Sequence, residues 1–400
     1  TDAVTAAQGQ AIAAASNIAA AFAGGVSDSS SNLYSTANNA ITTNFSAIRT
    51  EDTDVGVTIS DSAYDAGNND TTIAATTLSG IGNQTTGTVT VSNAIKISGT
   101  QSDVTGALVT EASKVTAGSA LVTISDAAYD ATNNDTTITA AALKNIGNAT
   151  TGAVTVSNAV KIAGSQSDVT AALVTEASKV TAASALVTIS DAAYDGTNND
   201  VTIGASALSS IGNATTGAVT VSNAVKITGS QSDVTAALVT EASKVSAGSA
   251  LVTISDAAYN ATNNDNTIAA SALSSIGNAT TGAVTVSNAV KITGSQSDVT
   301  AALVTEASKV SAGSAAITIS DAAYDAANND TTITASALKN IGNATTGTVT
   351  LSNAIRISGT ASDVTAALVT EASKVVAATS GTIANVTTTV TASQGAGYTT

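Results

Sequence analysis

The chain has no cysteine, histidine, methionine, tryptophan or proline. Without histidine or cysteine it cannot build a Ser-His-Asp or Cys-His nucleophile. A zinc cage, haem or iron–sulfur ligation and a disulfide framework are excluded on the same ground. No G-x-x-x-x-G-K-[ST] loop and no G-x-G-x-x-G turn after a strand is present to cradle phosphates. Aspartate and glutamate remain as the only acid–base pairs, so the expectation is a protein that is not an enzyme.

Positive charge is also scarce, with 13 basic residues scattered singly and a net charge of −16. Nucleic-acid binding needs a clustered basic footprint with stacking aromatics, and only 2% of residues are aromatic. An anionic membrane surface would repel such a chain. No apolar run is long enough for a membrane span; the nearest, "AIAAASNIAAAFAGG" at 11–25, is broken by polar residues. The expectation is no nucleic acid and no membrane insertion. There is no initiating Met, which implies a removed leader or a section of a longer product.

What is present is small and apolar. Hydrophobic residues make up 43% of the chain, mostly Ala and Val, against 10% charged. That balance opposes disorder and favours a thin core. An acidic, Thr/Ser/Asn-rich, cysteine-free composition is the usual look of a bacterial surface protein, so the expected location is extracellular or on the cell surface.

The organising signal is repetition. "VTIS" or "ITIS" begins at Val57, Val122, Val187, Val252 and Ile317, and "VTVS" or "VTLS" at Val89, Val154, Val219, Val284 and Val349. The two phrases alternate at nearly even spacing, so each 65-residue unit is two diverged halves. In one half, "AVTVSNAVKI" (153–162) alternates as a strand, with Val154, Val156, Val160 and Ile162 on one side. "DVTAALVTEASKV" (168–180) then has helical spacing: Val169, Ala172, Leu173, Ala177 and Val180 share a face, Glu176 pairs with Lys179, and Ser167 or Asp168 caps. The other half, "ITAAALKNIG" (138–147), predicts a helix capped by Thr139, with Leu143 and Ile146 buried and Gly147 at C′. The expected fold is an α/β repeat solenoid. Parallel strands stack, short helices form the opposite wall, and five 65-residue repeats of two half-coils lie between residues 57 and 380.

Outside the repeats, residues 1–56 read as Ala-rich helix, a Gly24-Gly25 link and a second helical stretch at 34–52, forming a cap or assembly arm. Residues 381–400 read as a strand and tail that cap or dock. Docking of one end on a neighbour's other end is the heterologous contact that makes filaments.

The fifth position of the strand phrase is Asp in one half (Asp61, Asp126, Asp191, Asp256, Asp321) and Asn in the other (Asn93, Asn158, Asn223, Asn288, Asn353). Alternate stacking predicts an Asp–Asn column, with Lys96, Lys161, Lys226, Lys291 and Arg356 two coils apart. "SDAAYDATNND" (125–135) and its copies gather more oxygen donors, which makes calcium the one cofactor the residues suggest. Its candidate ligands are Asp61, Asp65, Asp70, Asp126, Asp130, Asp135, Asp191, Asp195, Asp200, Asp256, Asp265, Asp321, Asp325 and Asp330. The phrase lacks the glycine and glutamate of an EF-hand loop, and Asp130 becomes Asn260 in the fourth copy. Ordinary turn chemistry is therefore the competing account, with Tyr64, Tyr129, Tyr194, Tyr259 and Tyr324 as turn-packing rings. "GNATTG" and its copies place Asn148, Asn213, Asn278 and Asn343 in N-x-[ST] sequons on a turn.

"GTVTVSNAIKISGTQSDVTGALVTEASKV" (87–115) and "VTISDAAYDATNNDTTITAAALKNIG" (122–147) resemble the tandem units of very long secreted and cell-surface repeat proteins of bacteria, notably marine cyanobacteria. The resemblance covers roughly residues 57–380 and implies an adhesin, surface-layer component or extracellular filament with no catalytic residues. The Ala/Asn-rich helical style of the N-terminal segment resembles phage tail fibres. Self-assembly into a homopolymer is the expected partnership. The alternative is a binding rod of adhesin or tail-fibre type with a cell-surface or glycan partner.

Overall fold

Short parallel strands carry the architecture, and each finds its partner a coil away in sequence. The computed structural model describes all residues except 1, 16–18, 69–71, 111–114, 134–135, 176–179, 199–200, 241–244, 263–266, 306–309, 326, 328–331, 371–374, 378–387 and 391–400. Its contacts divide into two compact units, Thr1–Ser190 with Ser210–Val219, and Asp191–Ser209 with Thr220–Thr400.

In the first unit one five-stranded parallel sheet runs Thr72–Ala74, Lys96–Gly99, Leu121–Ile124, Val154–Val156, Val180–Thr181. Thr72 lies opposite Lys96, Lys96 opposite Leu121, Val122 opposite Val154, and Val154 opposite Val180. The second unit builds two sheets of the same plan. In one, Leu251–Ile254 lies between Lys226–Gly229 and Val284–Val286; in the other, Ala316–Ile319 lies between Lys291–Gly294 and Val349–Leu351. The chain is an α/β repeat solenoid whose period is that of the sequence repeat.

The coils are less even than the phrases suggest. From a VTIS phrase to the VTVS phrase after it the pairing is direct, Val122 on Val154. From a VTVS phrase to the next VTIS phrase it is not: Val89 pairs with Val115, while Val122 pairs with Ile97. "AVTVSNAVKI" is two strands, Val154–Val156 and Lys161–Gly164, in different ladders. A turn closed by Val160 N–H donating to Asn158 O separates them, yet the expected parity survives, with Val154, Val156, Val160 and Ile162 all buried. Successive strands thus alternate between two ladders. A repeat has an odd number of them, so the next copy of a phrase joins the other ladder: Leu121–Ile124 shares a sheet with Val154–Val156, whereas Leu186–Ile189 shares one with Lys161–Gly164.

The helices are shorter than the periodicity predicts. "DVTAALVTEASKV" gives a short α-helix, Gln166–Thr170, and a π turn, Ala171–Thr175; Val180 is already strand. Strand pairing of Val180 with Val154 wins over helical spacing because β-branched Val and Thr suit a pleated surface. Glu176, Ala177 and Lys179 lie outside the described residues. The cap is Ser165 rather than Ser167 or Asp168, and Asp168 is the N3 residue. Its N–H donates to Ser165 Oγ, which in turn lies 3.1 Å from the Asp168 carboxylate. In the other half Thr139 does cap, accepting from Ala142 N–H, and Leu143 and Ile146 are buried. Gly147 is a buried helical residue rather than C′; the helix runs on to Ala149 and ends where Thr150 turns extended.

Residues 1–56 continue the same ladder. Val26–Asp28 pairs in parallel with Val57–Ile59, and Val4 bridges Val26. An Ala-rich helix forms at Ala6–Ala15; the second helical stretch becomes a hairpin (Tyr34–Ser35 with Ala40–Ile41) and the helix Thr43–Glu51. At the other terminus Thr388–Val390 is a strand paired with Arg356–Gly359, as its alternation predicts.

A backbone turn with a left-handed residue stands just before each VTIS strand from the second copy on. Gly118, Gly248 and Gly313 supply that residue with φ of 56°, 55° and 56°. The third copy has Ala183 there, at φ 47°. A left-handed alanine is strained by contact of Cβ with the following carbonyl. Replacing Ala183 by glycine relieves that strain, partly offset by the greater entropy of an unfolded glycine. Ala183→Gly is expected to stabilise the chain by about 0.5–1 kcal/mol in chemical denaturation; a loss of stability would contradict the reading of this turn.

Candidate functional site

The acidic phrase divides its oxygens between two tasks. The first aspartate reaches back to the start of an earlier helix. Asp126 is 7% exposed, and its carboxylate accepts from the N–H of Gln101, the first residue of the helix Gln101–Thr105, at 2.6 Å. Asp256 holds Gln231 N–H and Asp321 holds Gln296 N–H in the same way, both at 2.6 Å. Asp61 accepts from Ser30 N–H and Ser30 Oγ, and Asp28 accepts from Ala6 N–H at the start of the N-terminal helix. Asp191 occupies this place in the third copy, half-buried. A carboxylate on an unpaired N–H of a first helical turn is favoured by charge and by the helix dipole.

The second aspartate closes its own turn. Asp130 accepts from Thr132 N–H at 2.9 Å and from the Asn133 amide at 2.7 Å. Asp65, Asp195 and Asp325 accept the equivalent main-chain bonds from Gly67, Thr197 and Ala327. The bond from the Thr132 main chain, ahead of those from the side chains of Thr132 and Asn133, holds the exposed Asp130 carboxyl below its ordinary range, and the Thr197 main chain does the same for Asp195. Asn260 makes this bond in the fourth copy through its amide oxygen, to Thr262 N–H at 3.0 Å. The turn therefore requires an oxygen at this position and no charge. Asp70, Asp135, Asp200, Asp265 and Asp330 lie outside the described residues. Among the described residues no three acidic side chains come together as a metal cage would require.

The Asp–Asn column resolves into pairs. Asn158 donates through Nδ2 to the main-chain oxygen of Asp126 at 2.6 Å, not to its carboxylate, and Asn93, Asn223, Asn288 and Asn353 repeat this on Asp61, Asp191, Asp256 and Asp321. The column stops there because the next strand in the ladder, Val180–Thr181, belongs to a different phrase. The same step of the ladder joins the tyrosines to the cations. Lys96, Lys161, Lys226 and Lys291 place Nζ 5.0–5.3 Å from the ring centres of Tyr64, Tyr129, Tyr194 and Tyr259, and Arg356 stands 5.3 Å over Tyr324. Tyr129 N–H also donates to Ala159 O. Basic residues without a tyrosine do similar work: Lys144 pairs with Asp168 at 2.9 Å, which keeps that carboxyl below its usual range.

The sequon phrase contains a lock that reads in sequence as a plain turn. Thr150 is 3% exposed; its hydroxyl donates to Ala120 O at 2.6 Å and accepts from Gly152 N–H at 2.9 Å. Thr85, Thr215, Thr280 and Thr345 donate likewise to Val55, Ala185, Ala250 and Ala315. A Cβ on Gly152 would run into Ala120 O, so this glycine is needed for close approach of two main chains. The first copy, "GNQTTG", holds the same geometry with Asn83, which the different middle residue conceals. In the fifth copy a cleft of about 490 Å³ opens beside Asn343, lined by Leu303, Val304, Val310, Ser311, Asn340 and Ala344.

No protein-family model matches the chain, and comparison with characterised proteins and with solved structures finds no significant match.

The turn reading makes a direct prediction for calcium. Titrating the chelator-treated chain with calcium is expected to give no heat and no shift in Tm, because Asp126, Asp130 and their described counterparts are already engaged with main-chain donors. Saturable heat with a rise in Tm would establish a metal site in the acidic phrase.

Proposed function

We propose that the chain is a non-catalytic, extracellular structural protein that assembles head to tail into filaments or surface arrays. The observation that carries this reading is the state of the last ladder. Thr388–Val390 pairs with Arg356–Gly359 as Leu121–Ile124 pairs with Lys96–Gly99. Strands at this place further back carry another on their outer side, as Val154–Val156 lies on Leu121–Ile124. Among the described residues no strand pairs with the outer side of Thr388–Val390, and a strand edge of this kind is where a further parallel strand adds.

Apolar exposure supports the same reading. Of the large hydrophobics that stand exposed, Val369 (74%) and Val376 (46%) lie in the last copy and Ile12 (45%) in the N-terminal helix; Val201 (43%) lies mid-chain. Ile12 borders a groove of about 250 Å³ with Val4, Ala20, Ala21 and Phe22. Among the described residues, by contrast, the charged side chains of the repeats are largely engaged in capping, turn closure and cation–π pairs, as a scaffold requires. Among the described residues no helix is long and apolar enough to cross a membrane.

Raising the concentration of purified chain should produce fibres in negative-stain images and a growing sedimentation coefficient. Thr389→Pro, which removes a ladder donor from the terminal strand, should suppress both. A chain that stays monodisperse at every concentration would refute the proposal.

A further inference from the structure

The GN-x-TTG phrase carries five of the chain's N-x-[ST] sequons, and the fold gives its asparagine no strong use. Asn83, Asn148, Asn213, Asn278 and Asn343 are exposed in every copy. Asn83 makes only a marginal 3.5 Å contact with Ser79 Oγ. The threonine two residues on is the opposite case, buried at 3–5% exposure with its hydroxyl both donating and accepting. Both halves of an N-x-T acceptor are therefore present in every copy, one open to solvent and one locked against the preceding coil.

We propose that these five asparagines are N-glycan acceptor sites that are open only before the strand after them docks, and closed once the coil has formed. Transfer joins Asn Nδ2 to the anomeric carbon of a sugar carried on a lipid pyrophosphate. The C–N bond forms as the C–O bond to pyrophosphate breaks; the lipid pyrophosphate leaves with the electron pair, and the amide proton passes to solvent through the transferase. An N-x-[ST] acceptor is defined by its hydroxyl as well as its asparagine. In the folded chain the Thr150 hydroxyl is committed to Ala120 O at 2.6 Å, and Gly152 packs against the same carbonyl. Presenting Thr150 to a transferase would require peeling Val154–Val156 from Leu121–Ile124. The product, by contrast, fits the native state. The asparagine is open to solvent, and at Asn343 a cleft lined by Val304, Ser311 and Asn340 among others leaves room beside it for a first sugar ring. Glycan occupancy would then record the order in which coils close.

The test uses the full chain with a purified oligosaccharyltransferase and its lipid-linked donor, supplied either during cell-free translation or after folding. Glycopeptide mass spectrometry reads each site, with Asn148→Gln as the control that removes one site while leaving the Thr150 lock intact. Occupancy at least about tenfold higher in the translation arm, with glycosylated chains folding to the native Tm, is the expected result. Equal occupancy in the two arms would overturn the lock, and no occupancy in either would overturn the acceptor assignment. Glycosylated chains that fail to fold would overturn the claim that the native state accommodates the sugar. None of these outcomes depends on whether the chain forms filaments.

Discussion

A buried threonine hydroxyl, hydrogen-bonded to a main-chain oxygen of the preceding coil, fixes the distance between one coil and the next. Thr150 on Ala120 and its four counterparts bring each VTV strand against a VTIS strand so closely that only glycine fits two residues on. Once that contact is made, the parallel register follows, with Val122 on Val154 and Ile124 on Val156. The same step stacks Asn158 on the Asp126 main chain and Lys161 over Tyr129. Breaking one buried bond of this kind leaves a carbonyl unpaired, at about 1–3 kcal/mol. Its position makes it matter more, because every other inter-coil contact of the step relies on the same spacing.

The core explains why such a device is needed. Among the described residues the buried apolar side chains of the repeat region are Val, Ile, Leu and Ala, and no buried ring locks one coil to its neighbour. Apolar burial is close to non-directional and tolerates sliding. Direction comes from polar groups instead: the hydroxyl lock, the aspartate on a helix N-terminus and the cation over a tyrosine. Low net hydrophobic bulk and repeated polar fasteners are two sides of one design, in which each coil is stable only against the next.

Repetition makes the solenoid and its period legible, since self-similarity needs no local assignment. Burial parity is legible too, through Val154, Val156, Val160 and Ile162, because it depends only on alternation. What misleads is the meaning of continuity. "AVTVSNAVKI" keeps one parity through a turn, so a single strand and two strands in different ladders look alike in sequence. "DVTAALVTEASKV" has helical spacing, but Val180 gains a partner in Val154 that no local pattern reveals. The site suffers the same limit. Asp126 reads as a possible ligand, and its use on the distant Gln101 N–H depends on which coils are neighbours. Thr150 reads as a turn residue for the same reason.

The most direct measurement of coil-on-coil dependence is to delete residues 122–186, which rejoins Leu121 to Val187 in the identical phrase, and to follow guanidinium unfolding by far-UV circular dichroism. If neighbouring coils supply one another's only buried surface, the shortened chain keeps the same ellipticity per residue and a cooperative transition. Loss of that ellipticity, or a chain unfolded without denaturant, would contradict the account.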